Sequence, residues 1–123
     1  MNSVHLIGNL ATDVELRAVA PAEDAEREEK KVASFLLAVD RGSRDGGADF
    51  VWITALDRQA ELCAQYLDKG NRVAVDGRLK SRTWEQEGRR RDAVEVVARR
   101  VEFLTGPPRE SGAEVIPFEA ATA

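Results

Sequence analysis

The sequence predicts an all-β chain with one helix, closed into a small barrel-like structure that the helix plugs at one end, followed by a C-terminal tail. Three observations predict it. Apolar residues alternate with polar ones in successive short segments, the period of a half-buried strand. One window alone reads as a helix with start and stop signals. Past Leu104 the composition turns to that of a linker.

Val4-His5-Leu6-Ile7-Gly8 opens the first strand, and Val14 to Val19 follows after the turn-prone Ala11-Thr12-Asp13. Pro21 to Lys31 holds no apolar residue larger than alanine, so an exposed loop with at most a short helical turn is expected there. Lys31 to Val39 resumes the alternation, with Phe35, Leu37 and Val39 on one face. Gly42-Ser43-Arg44-Asp45-Gly46-Gly47 interrupts it. In Phe50 to Leu56 the aliphatic face is Val51, Ile53 and Ala55. Arg58 to Lys69 is the helix, with Asp57 as expected N-cap, Gly70 as stop, and Leu62, Cys63, Tyr66 and Leu67 on one side; Tyr66 is expected to anchor the core. Arg72 to Trp84 and Arg91 to Leu104 are two long strands about the turn Glu85-Gln86-Glu87-Gly88, with Val73, Val75, Gly77 and Leu79 continuing the apolar face. Folding every strand into a closed structure leaves few edges exposed.

Length and composition bound the function. At 123 residues and 13.5 kDa the chain supports one domain, expected over residues 1–104, and a flexible tail over 105–123. No stretch approaches the ~20 apolar residues of a membrane span, and the N-terminus lacks the pattern of a secretory signal. A cytoplasmic protein is expected. Cys63 stands alone, which excludes an internal disulfide, and with His5 as the single histidine no zinc cluster, other metal site or cofactor is expected. Asp40, Asp49 and Asp57 follow no tight metal-ligand spacing, and each falls at a strand end or cap where aspartate serves locally. With no partner histidine for Cys63 either, no catalytic residue and no enzyme is expected.

Where water should meet polar side chains, this chain places rings and cations. Phe50 and Trp52 point away from the aliphatic face of their strand, and Arg78, Lys80, Arg82 and Trp84 occupy successive even positions of another. Arg89, Arg90 and Arg91 crowd the same hairpin. Unpaired bases stack on flat rings while phosphates meet guanidinium and ammonium groups, so single-stranded nucleic acid is the expected ligand. A net charge of −4 opposes generic polyanion binding, but much of the acid lies between Glu23 and Glu29 and in the tail. The competing structural readings are that Phe50 and Trp52 cover the helix or a subunit interface, that Arg78, Lys80 and Arg82 pair with Glu95 or Asp92, and that Cys63 is a small buried helix residue.

Taken in order, Met1 to Leu10, Asp13-Val14-Glu15-Leu16-Arg17, Phe35 to Val39, Asp49-Phe50, Gln59-Ala60-Glu61, Tyr66 to Gly70, Val75 to Leu79, Arg82, Trp84 and Val94 to Val97 resemble the bacterial single-stranded DNA-binding protein family. The resemblance implies a five-stranded oligonucleotide-binding (OB) barrel with a long projecting final hairpin. It also implies a nucleoid-associated homotetramer, assembled partly through first strands, that wraps single-stranded DNA in replication, recombination and repair. The family's stacking positions fall on Phe50 and Trp84, with Trp52 a neighbouring ring. Ser43 and Leu56 depart from it, standing where aromatics are usual; a stacked base is worth ~1–3 kcal/mol.

Family members end in an acidic tip closing on Ile-Pro-Phe that partner proteins grip. Here Ile116-Pro117-Phe118 follows a single acid and is itself followed by Glu119 to Ala123, so a degenerate, non-terminal recruitment motif for replication and repair proteins is expected. Two other functions compete. One is an OB-fold interaction accessory of replication restart or repair with weak nucleic-acid binding, favoured by Ser43, Leu56 and the acidic loop; the other is single-stranded RNA binding.

Overall fold

The computed structural model describes residues 1–19 and 30–104. The elements run β1 (Val4–Leu10), β2 (Glu15–Val19), β3 (Lys30–Asp40), β4 (Ala48–Leu56), α1 (Asp57–Tyr66), β5 (Arg72–Gln86) and β6 (Arg89–Phe103). Each strand lies where the alternation predicts one, and the helix begins where β4 ends. Most of the acidic loop between β2 and β3, and the tail with Ile116, Pro117 and Phe118, lie outside the described residues.

Hydrogen bonding joins β1, β5, β6, β4 and β3 in that order, and β1 returns to β3 through Asn9 opposite Ala38 and Leu10 opposite Leu37, so five strands close into a ring. β2 lies outside the ring, paired with β3. All the neighbouring pairs are antiparallel except β4 with β6, which run parallel through Ile53 opposite Val96 and Thr54 opposite Val97. That closure gives every ring strand two neighbours and removes the edges an open sheet would present.

The ring is filled by the alternate residues that the sequence marks as apolar. Phe35, Leu37, Ile53, Val73 and Val96 are fully buried, and α1 adds Ala60 and Cys63. Burial pushes the Cys63 thiol up to about 11, so at neutral pH it is a small protonated core group with no nucleophilic character. Two inward positions admit no side chain at all. A Cβ on Gly8 would lie 2.3 Å from the carbonyl oxygen of Ala38, and one on Gly77 would lie 2.4 Å from that of Val97. Glycine there lets neighbouring backbones approach.

Four local expectations are corrected. Asp57 makes no side-chain cap; the chain passes from β4 into α1 without a loop, and Asp57 itself takes the turn as first helical residue with φ of 54°, a conformation aspartate tolerates better than most residues. The helix stops at Tyr66 rather than Lys69, because Leu67 is drawn into the core in an extended conformation while its N–H still donates to Cys63 O. Gly70, at φ of 95°, serves the turn beyond and donates to Leu10 O. Tyr66 is 58% exposed and meets Phe103 with ring centroids 6.4 Å apart, so it lies over the rim of the core rather than within it.

Leu79 is the fourth. Its side chain faces the interior side of β5 but is 48% exposed, because β5 has by then passed its last pairing with β1, Val4 opposite Gly77. β6 pairs with β4 only through Val96 and Val97, so among the described residues the hairpin beyond them has no third strand.

Candidate nucleic-acid interface

Strand register decides which side chains share a surface. Residues paired across a ladder point to the same side of the sheet. Inward Ile53 pairs with inward Val96, so their neighbours Thr54 and Val97 face outward together, and Val97 in turn pairs with Arg78. The outward set therefore comprises Phe50, Trp52, Thr54 and Leu56 on β4, Ala93, Glu95 and Val97 on β6, and Arg78, Lys80, Arg82 and Trp84 on β5. Arg91 opposes Trp84 and Arg89 opposes Gln86, which places both on this face. Arg90 lies on the reverse side.

The rings stand open. Phe50 is 60% exposed, Trp52 50% and Trp84 39%. Neither Phe50 nor Trp52 covers the helix, since α1 packs on the opposite side of the ring wall. On β3 their outward neighbours are Ala38 and Leu36, small or aliphatic groups that leave the ring faces accessible. Trp84 differs: the Arg82 guanidinium carbon lies 5.0 Å from its ring centroid. A cation over an exposed indole is worth about 0.5–1 kcal/mol and orients the ring, leaving one face for another partner.

Charge is sorted by side. Among the described residues, Arg78, Lys80, Arg82, Arg89 and Arg91 form no ion pair, so the reading in which Glu95 or Asp92 neutralises the row does not hold. Glu95 instead accepts a hydrogen bond from Thr54 Oγ1 at 3.4 Å, although Lys80 is its cross-strand partner. Asp92 lies on the reverse side, where it accepts from Thr83 Oγ1 at 3.0 Å and pairs with Arg90 at 3.6 Å. The structure thus brings together eight of the nine stacking and phosphate candidates and sets Arg90 apart.

At the far end of β4, Arg41 Nε donates to Asp49 Oδ1 at 3.0 Å, and Asp40 Oδ1 accepts from the Gly42 N–H at 2.8 Å. Both aspartates hold the β3–β4 loop, the local use expected of them. Ser43, where an aromatic is usual, donates from Oγ to Gly46 O at 3.3 Å and closes the turn. Leu56 is 39% exposed at the start of the helix. Sequence reasoning missed Thr54 and its hydrogen bond to Glu95; only the parallel register, which no local pattern encodes, brings them together.

The geometry agrees with what the chain resembles. The model of the single-strand binding protein family matches residues 1–104. A protein named single-stranded DNA-binding protein 3, from Clostridium acetobutylicum, is 42% identical over 108 residues, covering 85% of this chain and 71% of that one. The single-stranded DNA-binding protein of Clostridium tetani is 40% identical over 119 residues, 93% of this chain and 78% of the relative. That of Bacillus cereus is 42% identical over 121 residues, 93% of this chain and 65% of its own. Since the match runs through every strand of the ring and both arms of the hairpin, the chain belongs to the single-strand binding protein family.

Proposed function

We propose that this protein binds single-stranded DNA without sequence preference, protecting exposed strands in replication, recombination and repair. One observation carries the reading: three exposed rings and five cations, which form no ion pair among the described residues, share one outward face. Bases stack on Trp84, Phe50 and Trp52, and Arg78, Lys80, Arg82, Arg89 and Arg91 meet phosphates, with Arg90 reaching the strand only if it leaves Asp92. A π-face is common to all bases and a phosphate to every nucleotide, so sequence tolerance follows from stacking and charge contacts. Residues 1–104 form the binding domain and 105–123 the tail.

The protein acts as a cytoplasmic homotetramer, its first strands contributing to assembly. Ile116, Pro117 and Phe118 recruit replication and repair proteins; a tail peptide that retains none of them in a pull-down from lysate would remove that part. None of these roles requires catalysis.

Titration with poly-dT, followed by tryptophan fluorescence over a range of salt, tests binding and mechanism together. Each single-strand phosphate contact contributes about −0.7 to the slope of log K against log salt, so five per chain predict a slope near −3.5 for one chain's contacts. Sedimentation of the same sample should give a mass near four chains. Absence of quenching at low salt with the tetramer intact would reject DNA binding and leave the interaction accessory, whereas tighter binding to poly-U would favour RNA.

A further inference from the structure

Among the described residues, the hairpin that carries Trp84 and the basic row has no third strand beyond Val96, and an isolated two-stranded hairpin is at best marginally stable. Its direction therefore depends on how its base is held. At that base the β5–β6 register shifts: Asp76 opposes Arg100 and Gly77 opposes Ala98, which leaves Arg99 as the extra residue of a bulge. Bulges bend a strand and raise its twist, and without bracing this one would be a hinge.

Three side chains brace it. In the register that pairs Val4 with Gly77, Asn2 falls opposite Leu79, past the end of β1. There its side-chain amide does what a strand backbone would do. Nδ2 donates to Leu79 O at 3.0 Å and Oδ1 accepts from Leu79 N at 2.8 Å. On the opposite edge of the hairpin base, Gln59 of α1 treats β6 in the same way, donating from Nε2 to Arg99 O at 3.2 Å and accepting from Val101 N at 2.6 Å. The bulged Arg99 ties the two edges together. Its Nη1 donates to Gly77 O at 3.1 Å and its Nη2 to Asn2 O at 3.0 Å, while Asp76 Oδ1 lies 3.7 Å from Nη1.

We infer that Asn2, Gln59 and Arg99 form a collar that aims the projecting hairpin, so that Trp84 and its cations line up with Phe50 and Trp52 before DNA arrives. All three are positioning residues. None lies on the outward face of rings and cations, and each acts through the backbone of β5 or β6. The inference rests on the proposed binding function for its consequence, but not for its geometry. A strand ligand spanning both groups would otherwise have to order the hairpin as it binds, at a cost to affinity.

Asn2→Ala is the leading variant, because Asn2 is exposed and lies outside every element, so the ring does not depend on it. Amide hydrogen exchange across residues 78–95 should rise, most at Leu79, with Tm and sedimentation mass as in the parent. Poly-dT affinity should fall about tenfold for Asn2→Ala, which loses two neutral hydrogen bonds to Leu79, and for Arg99→Ala, which loses two from a charged donor. Asn2→Asp keeps the acceptor for Leu79 N but loses the donor to Leu79 O, and should not restore binding. Combined with Trp84→Ala, Asn2→Ala should cost less than it does alone, since one of the groups it aims is gone while the cations remain.

Unchanged exchange in the hairpin, full affinity in Asn2→Asp, or a fully additive double variant would each overturn the collar. If the parent protein fails to bind poly-dT, the proposed function falls, and the exchange comparison still decides whether the collar exists.

Discussion

Replacing Trp84 with alanine is expected to weaken poly-dT binding by ~1–3 kcal/mol, the range for one base-stacking platform, while leaving the fold intact. The ring contributes little to the core, being 39% exposed on a hairpin outside the ring of strands. What it loses internally is the contact with Arg82, about 0.5–1 kcal/mol at an exposed site. Binding should therefore change more than stability. Quenching that survives in this variant reports Trp52, the remaining tryptophan, and should be smaller in amplitude. Trp84→Phe keeps a π-face and should recover most of the affinity. An alanine variant that binds as tightly as the parent, with Tm preserved, would remove Trp84 from the site and shift weight to Phe50 and Trp52.

Gly8→Ala is expected to have the largest effect on stability. Its Cβ would lie 2.3 Å from Ala38 O, 3.0 Å from Ala38 C and 3.1 Å from Leu37 Cγ, and the nearest of these atoms belongs to backbone that no rotamer change can move. The contact falls at the one place where β1 meets β3, the seam that closes the ring. To relieve it, the seam must part or Leu37, fully buried, must shift. Overpacking of this kind costs ~3 kcal/mol, enough to lower Tm on the order of 10 °C or more in a domain of this size. Calorimetry or circular dichroism reads it. A Tm within about 2 °C of the parent would show that the seam has slack, and the account of its closure would have to change.

The two variants address different layers of the molecule. Trp84 is a surface group whose value lies in a ligand, whereas Gly8 allows the ring to close. A tight ring also explains why the outward face can hold exposed aromatics: with the core satisfied by Phe35, Leu37, Ile53, Val73 and Val96, the rings are not needed inside.

By itself the sequence determined the strands, the single helix, the core alternation and the outward placement of Phe50, Trp52 and Trp84, because each follows from a period of two or 3.6 residues along the chain. Order and spacing of its motifs carried the family as well. It misplaced Asp57, Tyr66, Leu79 and the end of the helix, where a tertiary demand overrides a local signal: a strand that turns directly into a helix, a leucine drawn into the core, a hairpin that leaves its sheet. Only the tertiary structure decided that β4 and β5 share one outward face, since the parallel β4–β6 pairing joins residues more than forty positions apart. It alone turned Asp92 and Arg90 to the reverse side, which leaves the five cations without an ion pair among the described residues, and it alone brought Asn2, Gln59 and Arg99 to the base of the hairpin. Contacts between distant segments depend on register and closure, and neither is written in the neighbourhood of any one residue.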